Sequence, residues 1–177
     1  MEEIEVPTEH VQEEIHHHAT HSTEKWIMGV ALSSAIIAAL AAVTALLAGH
    51  HSDEAMITQI LASDQWGYYQ AKGIKASVLN TKIQILKSLG KPAENGDLEK
   101  IEQYQNDQDG IGEKAREKES ESRFHLQKHM VLARGVTLFQ VAIAVSAISV
   151  LTRRRRFWIV SLGFGSIGLF FLLQGIL

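Results

Sequence analysis

Histidine is the residue type in this chain whose placement points most directly to chemistry. Of the nine histidines, His50 and His51 close the first long apolar run, and His125 and His129, spaced four apart, precede the second. Neutral imidazole ligates Zn, Ni or Cu, and its charge changes between about pH 5 and 8. With Asp53, Glu54 and Glu121 near the same level, these four form a candidate layer for a divalent metal or for pH-dependent behaviour. The plainer reading is that histidine simply suits a membrane–water boundary. His10, His16, His17, His18 and His21 lie in a Glu-rich segment in which Glu13, His17 and His21 share a helical face; that group reads as a solvated polar tail.

No further cofactor is implied. Asp107-Gln108-Asp109-Gly110 invites comparison with a calcium loop, but aligning Gly110 with the loop glycine puts Gln105 at the first ligand and Arg116 where a bidentate Glu belongs. A helix irregularity at Gly110 and Gly112 accounts for the glycines better. Without cysteine there is no thiolate nucleophile and no thiolate metal site. No Gly-x-Ser-x-Gly elbow, phosphate loop or His-Glu-x-x-His motif occurs, so no enzyme is expected. Seventeen basic against 20 acidic residues give no reason to expect nucleic acid.

Other residues point to packing. Trp66, Tyr69 and Lys72 occupy overlapping turns, and a lysine can lie over an aromatic ring, so they predict a packing node between helical arms or between protomers. Ala31, Ala35 and Ala39 recur at spacing four, as do Ser34, Ala38 and Ala42. Ser161, Gly165, Gly168 and Gly175 form one stripe interrupted by Leu172. Small faces let helix backbones approach closely inside a membrane, within one chain or between chains.

The elements that must position these residues follow from hydropathy and charge. The spacing predicts an all-α integral membrane protein with three transmembrane helices and a long extramembrane antiparallel helical hairpin. A polar His/Glu-rich segment spans 1–25, and a first span covers 26–49, its apolar run from Trp26 to Ala48 giving about 34 Å of helix and enough for a hydrocarbon core. It reads as an uncleaved signal anchor, because the acidic N-terminus lacks the positive start of a cleavable signal. The hairpin occupies 50–130, with its turn at 90–97, where Gly90, Pro92, Asn95 and Gly96 gather. Ser52-Asp53-Glu54 reads as the start of its first arm, and Leu98 opens the second. Ile57, Ile60, Ala71, Ile74, Val78 and Ile85 follow a three-four ladder broadened by Leu61, Tyr68, Leu79, Leu86 and Leu89. The first arm is Lys-rich and the second acidic, which favours antiparallel pairing. A second span covers 131–152, an arginine turn 153–156, and a third span 157–177. Short loops rich in Arg stay on the cytoplasmic side. Arg153, Arg154, Arg155 and Arg156 therefore place the hairpin and the C-terminus outside the cytoplasm and the N-terminus inside, and Lys25 agrees.

Two stretches carry a resemblance. Glu9-His10 with Glu13 to His18, followed by the span ending Leu46-Leu47-Ala48-Gly49-His50, is similar to the start of a bacterial membrane family known only as domain of unknown function 4337. Ala62-Ser63-Asp64-Gln65-Trp66-Gly67-Tyr68-Tyr69-Gln70-Ala71-Lys72 resembles its most distinctive motif. The resemblance covers nearly the whole chain and implies a bacterial inner-membrane protein; it brings no activity with it. The expected role is a non-enzymatic, self-associating scaffold with the lipid bilayer and further copies of itself as partners. An accessory subunit bound to other membrane subunits is the alternative, and a channel or metal- and pH-responsive module using the histidines is a third.

Overall fold

The computed structural model describes Glu13 and residues 25–92 and 94–177. The histidines at 10, 16, 17, 18 and 21, and the helix expected from Glu9, lie outside the described residues. Among the described residues the chain forms three α-helices: α1, Lys25–Ser88; α2, Asn95–Thr152; and α3, Arg155–Ile176. Each contains a stretch long and apolar enough to cross a membrane. The chain divides into two compact units. One takes residues 53–126; the other includes 25–52 and 127–177.

The helix start expected at Ser52-Asp53-Glu54 is not a start, because α1 runs unbroken through Gly49 and Ser52. A single helical glycine costs only about 1 kcal/mol, whereas a break would orphan four backbone N–H groups. No proline occurs within the helix to force one. The second arm begins three residues earlier than expected, at Asn95, and continues through Gly110 and Gly112 without an irregularity.

Both helix ends are closed by the same device. At the end of α1, Gly90 takes a left-handed φ of 70°. Its N–H donates to the Lys87 carbonyl, and the Lys91 N–H donates to the Leu86 carbonyl at 2.9 Å. This is the Schellman pattern, which satisfies terminal carbonyls and favours glycine at the left-handed residue. At the end of α2 the Arg153 N–H reaches Val150 and the Arg154 N–H reaches Ser149, with Arg153 itself at φ 52°. An arginine fills the position that suits glycine. The arginine turn is therefore only two residues long; Arg155 and Arg156 form the first turn of α3 rather than part of a loop.

In the three-helix unit, α1 and α2 run antiparallel and α3 returns parallel to α1. Packing is set by small residues. The buried residues of α3 are Ser161, Gly165, Gly168, Leu172 and Gly175, one stripe at spacings of three and four. A Cβ on Gly168 would lie 2.9 Å from the Phe139 ring and 3.3 Å from the Gly135 carbonyl oxygen, and one on Gly175 would collide with Leu132. Phe139 and Leu132 are thus fully buried because α3 carries no side chain opposite them. Gly165 receives Ile37 of α1 in the same way, 3.1 Å from a would-be Cβ. At the other end Trp26, Ile27, Val30, Ala31 and Val150 form a second cluster under Trp158. There the Trp158 indole donates to Ser33 Oγ at 3.1 Å, and the Arg155 guanidinium lies 5.5 Å from the Trp26 ring centre. Ser146 and Ser161 share a 2.6 Å hydrogen bond between α2 and α3. On α1, Ala31 and Ser34 are buried, Ala35 is half-buried, and Ala39 and Ala42 are exposed.

Two substitutions test this packing by thermal unfolding of the full chain in detergent, followed by circular dichroism. Gly168→Ala is expected to lower stability by about 1–3 kcal/mol, the cost of overfilling a close contact. Gly163→Ala, where nothing lies within 4 Å, should leave the midpoint unchanged or slightly raised. At the corner, Arg153→Gly should raise the midpoint, because a left-handed non-glycine residue costs about 1–2 kcal/mol.

Candidate functional site

The hairpin unit is built by residues 53–88 of α1 against 95–126 of α2. Their seam repeats every seven residues. On α1 the inward positions are Ala55, Ala62, Tyr69 and Ala76, with Thr58 and Lys72 beside them; on α2 they are Ile101, Gln108, Ala115 and Ser122. Seven-residue repeats keep two helices in continuous contact. Ala62 and Ala115 are fully buried, and the Ser122 hydroxyl crosses to the Ala55 carbonyl at 2.7 Å, so the arms approach closely at this end.

Trp66, Tyr69 and Lys72 come together at the middle of this seam. The Trp66 indole N–H donates to Glu119 Oε1 at 2.9 Å, and its ring meets Tyr69 edge-on with centroids 5.4 Å apart. The Tyr69 carbonyl accepts from the Gln108 amide at 3.0 Å. Lys72 Nζ sits 2.6 Å from Asp107 Oδ2 and 5.1 Å from the centre of the Tyr104 ring. The ring beneath Lys72 therefore comes from the opposite arm. Gly112 completes the node: a Cβ there would be 3.3 Å from the Tyr69 ring. The residues alone suggested only a helix irregularity at Gly112 and no contact for Gln108. The signal was a glycine one seam-turn from an aromatic on the partner arm, and it becomes visible only once the register is known.

Charge pairing also crosses the arms. Besides Lys72–Asp107, Lys82 Nζ lies 2.8 Å from Asp97 Oδ2 and 3.0 Å from Glu94 Oε2. Hydrogen bonds to Asp97 and then Glu94 raise the Lys82 pKa above the ordinary lysine value. Within α2, Lys118 Nζ lies 2.6 Å from Glu121. That hydrogen bond lowers the Glu121 pKa and raises that of Lys118.

Of the four histidines, His125 belongs to the hairpin unit and His50, His51 and His129 to the three-helix unit. His129 Nδ1 lies 2.8 Å from the Ala48 carbonyl oxygen. A carbonyl can only accept, so Nδ1 carries the proton and latches α2 to α1. The His50 and His51 rings are tilted neighbours with centroids 5.6 Å apart, and His125 meets Phe124 edge-on at 5.6 Å. Among the described residues no three His, Asp or Glu side chains gather closely enough to hold a metal ion.

Most of the large apolar residues of the first arm are not in the seam; Leu79, Ile83 and Leu86, which continue its series toward the turn, are half-buried. Ile57, Ile60, Leu61, Tyr68, Ile74, Val78 and Ile85 of α1, and Leu89 just past its end, are all exposed, Ile74 at 65% and Val78 at 62%. The arm thus carries two stripes: one facing α2, small at Ala55, Ala62 and Ala76 and aromatic at Tyr69, and a bulky apolar one facing outward.

These features define a class: an all-α protein of three long apolar helices, two of which extend into a paired-arm hairpin. The chain belongs to the family described as a domain of unknown function, DUF4337, whose model matches residues 26–177. No curated protein matches it. No solved structure matches it either.

Trp66→Ala should destabilise the hairpin by about 2–3 kcal/mol, since it removes a half-buried ring as well as its hydrogen bond. Trp66→Phe keeps most ring contact and should cost about 1 kcal/mol; unfolding midpoints of the two variants compare the terms. The shifted groups set a pH dependence. Glu121 is depressed, so its contribution is present above its unfolded pKa and lost as pH falls through the folded value. Lys82 is raised, so its contribution holds below the unfolded lysine pKa and is lost as pH rises through the folded value. Lys82→Met should therefore flatten the alkaline limb of a midpoint-against-pH curve while leaving the acid limb in place.

Proposed function

We propose that this protein is a non-enzymatic, self-associating scaffold of the bacterial inner membrane. Its two-residue arginine corner would face the cytoplasm, with the hairpin projecting from the opposite side. The observation that carries this reading is the outward apolar stripe on the hairpin's first arm, Ile57 to Leu89. A water-facing surface of that kind marks an interaction site.

Support for the membrane setting comes from the direction of the apolar residues. Within the apolar stretches of the three helices only 28–39% of the residues are buried. Leu32, Ile36, Val43, Leu46, Leu151, Ile159 and Phe170 all point outward. A water-soluble bundle would turn these inward; a bilayer solvates them where they are. Arg155 over Trp26 and the Trp158 indole on Ser33 put aromatic and cationic groups together at one end of the helices, the mixture found at a headgroup boundary.

Extraction of the full chain from native membranes in mild detergent, followed by mass measurement, tests the reading. The expected result is a complex of this chain alone with a fixed mass above the monomer. Reproducible foreign subunits would favour an accessory role instead, and a monomer would remove the scaffold. Orientation is tested separately by thiol labelling in intact cells: Asn95→Cys should react with an impermeant reagent and Arg154→Cys should not.

A further inference from the structure

We propose that the outward stripe of α1 is the contact between two copies of this chain, laid parallel and in register from Ile57 to Leu89. This rests on the self-association reading above and names the surface that performs it. The stripe repeats at sevens. Ile57, Ala71, Val78 and Ile85 follow one such series, broken by Asp64, and Ile60 and Ile74 follow the series three residues on, which continues through Gly67, Thr81 and Ser88. Leu61, Tyr68 and Leu89 flank them, all exposed. That is the pattern of a second coiled-coil seam on a helix whose first seam is already occupied by α2.

Among the described residues of the hairpin, the same stripe on another copy is the surface that matches it. The exposed positions of α2 in the hairpin include Gln103, Gln105, Asp109, Glu113, Glu117 and Ser120, and an isoleucine row against these would bury polar groups without partners. Size agrees. The stripe is roughly 50 Å long and one helix, about 10 Å, wide. Two such faces bury on the order of 1,000 Å², the lower bound for a specific interface. The half nearer the turn already forms an open, mostly apolar groove of about 520 Å³, bounded by Ile74, Val78, Ile85 and Leu86 with Ser77, Thr81 and Lys82, into which a neighbour's side chains can seat.

Charge agrees as well. In a parallel, in-register pairing the positions beside the seam bring Gln70 opposite Lys75 and Ser77 opposite Lys82, so no like charges face each other there. Lys82 is also neutralised by Asp97 and Glu94 of its own hairpin. Asp64 is the one charge in the two central series, and it meets its own counterpart; Thr81 and Ser88 add neutral polar positions nearer the turn. Polar levels inside an apolar seam weaken the contact while penalising slipped registers. Spans held in one bilayer place equal residue numbers at equal depth, which selects the parallel arrangement.

The absence of cysteine makes the test direct, since one introduced thiol is unique in the chain. Val78→Cys and Ile85→Cys, in the full chain in native membranes, should each give an oxidised covalent dimer, and Glu113→Cys, on the polar face, should not. Ile74→Asp combined with Val78→Asp should weaken association in detergent on the order of thirtyfold or more, the loss expected at a central contact, with helicity by circular dichroism unchanged. Asp64→Leu should strengthen it. If Val78→Cys and Ile85→Cys stay monomeric under oxidation while the wild type still shows a homo-oligomeric mass, the stripe is not the contact and the spans associate instead. Dimer formation by Glu113→Cys equal to that by Val78→Cys, or a foreign protein trapped at Val78, would overturn the proposal too. A monomeric wild type would overturn both this inference and the scaffold.

Discussion

Everything in this protein depends on backbones being able to come close. Ala62 and Ala115 allow it between the arms of the hairpin, and Gly135, Gly165, Gly168 and Gly175 allow it among the three apolar helices. In a bilayer the lipid tails are as apolar as leucine, so burying leucine gives helices little reason to associate, and dispersion contacts across a short separation carry the association instead. Phe139 over Gly168 and Leu132 over Gly175 are those contacts. The hairpin solves a related problem outside the apolar stretches. Its inward residues are mostly small or polar, so the arms are held by Ser122–Ala55, Trp66–Glu119, Gln108–Tyr69 and Lys72–Asp107 as much as by apolar burial.

That economy leaves most of the large apolar residues of the first arm unused by the hairpin. A helix with isoleucines on one side and alanines on the other has already spent its alanines on its own partner. What remains is a surface too apolar for water and too regular to be accidental. The self-association reading and the seam proposed for it both grow from this division of one helix into two stripes.

Much of the fold was legible in the residues. Three apolar runs, the Gly90–Gly96 turn formers and the Lys-rich and acidic arms fix three helices and one hairpin, because charge and hydropathy act over whole segments. The stripe on the third apolar helix could be read as well, since only one row of small residues runs along it. The first arm was harder. Periodicity finds its bulky ladder at once, but Ala55, Ala62 and Ala76 share the same seven-residue period two residues out of phase, and a small residue is inconspicuous until the backbone opposite it is known. Gly49 and Ser52 look like an ending only because local propensity is weak; continuous backbone hydrogen bonding outweighs it. Gly110 and Gly112 look alike in sequence, yet one faces open space and the other faces Tyr69.

The corner at Arg153 and Arg154 has a consequence for biogenesis. With two residues between them and their adjoining ends tied by the Arg154 N–H on Ser149, α2 and α3 have no slack to enter a bilayer one after the other. They would have to partition as a preformed helical pair, dragging four guanidinium groups no farther than the near leaflet. In the inner-membrane reading proposed above, such a pair could not invert later without carrying all four charges through hydrocarbon, so the side on which it first enters would become permanent.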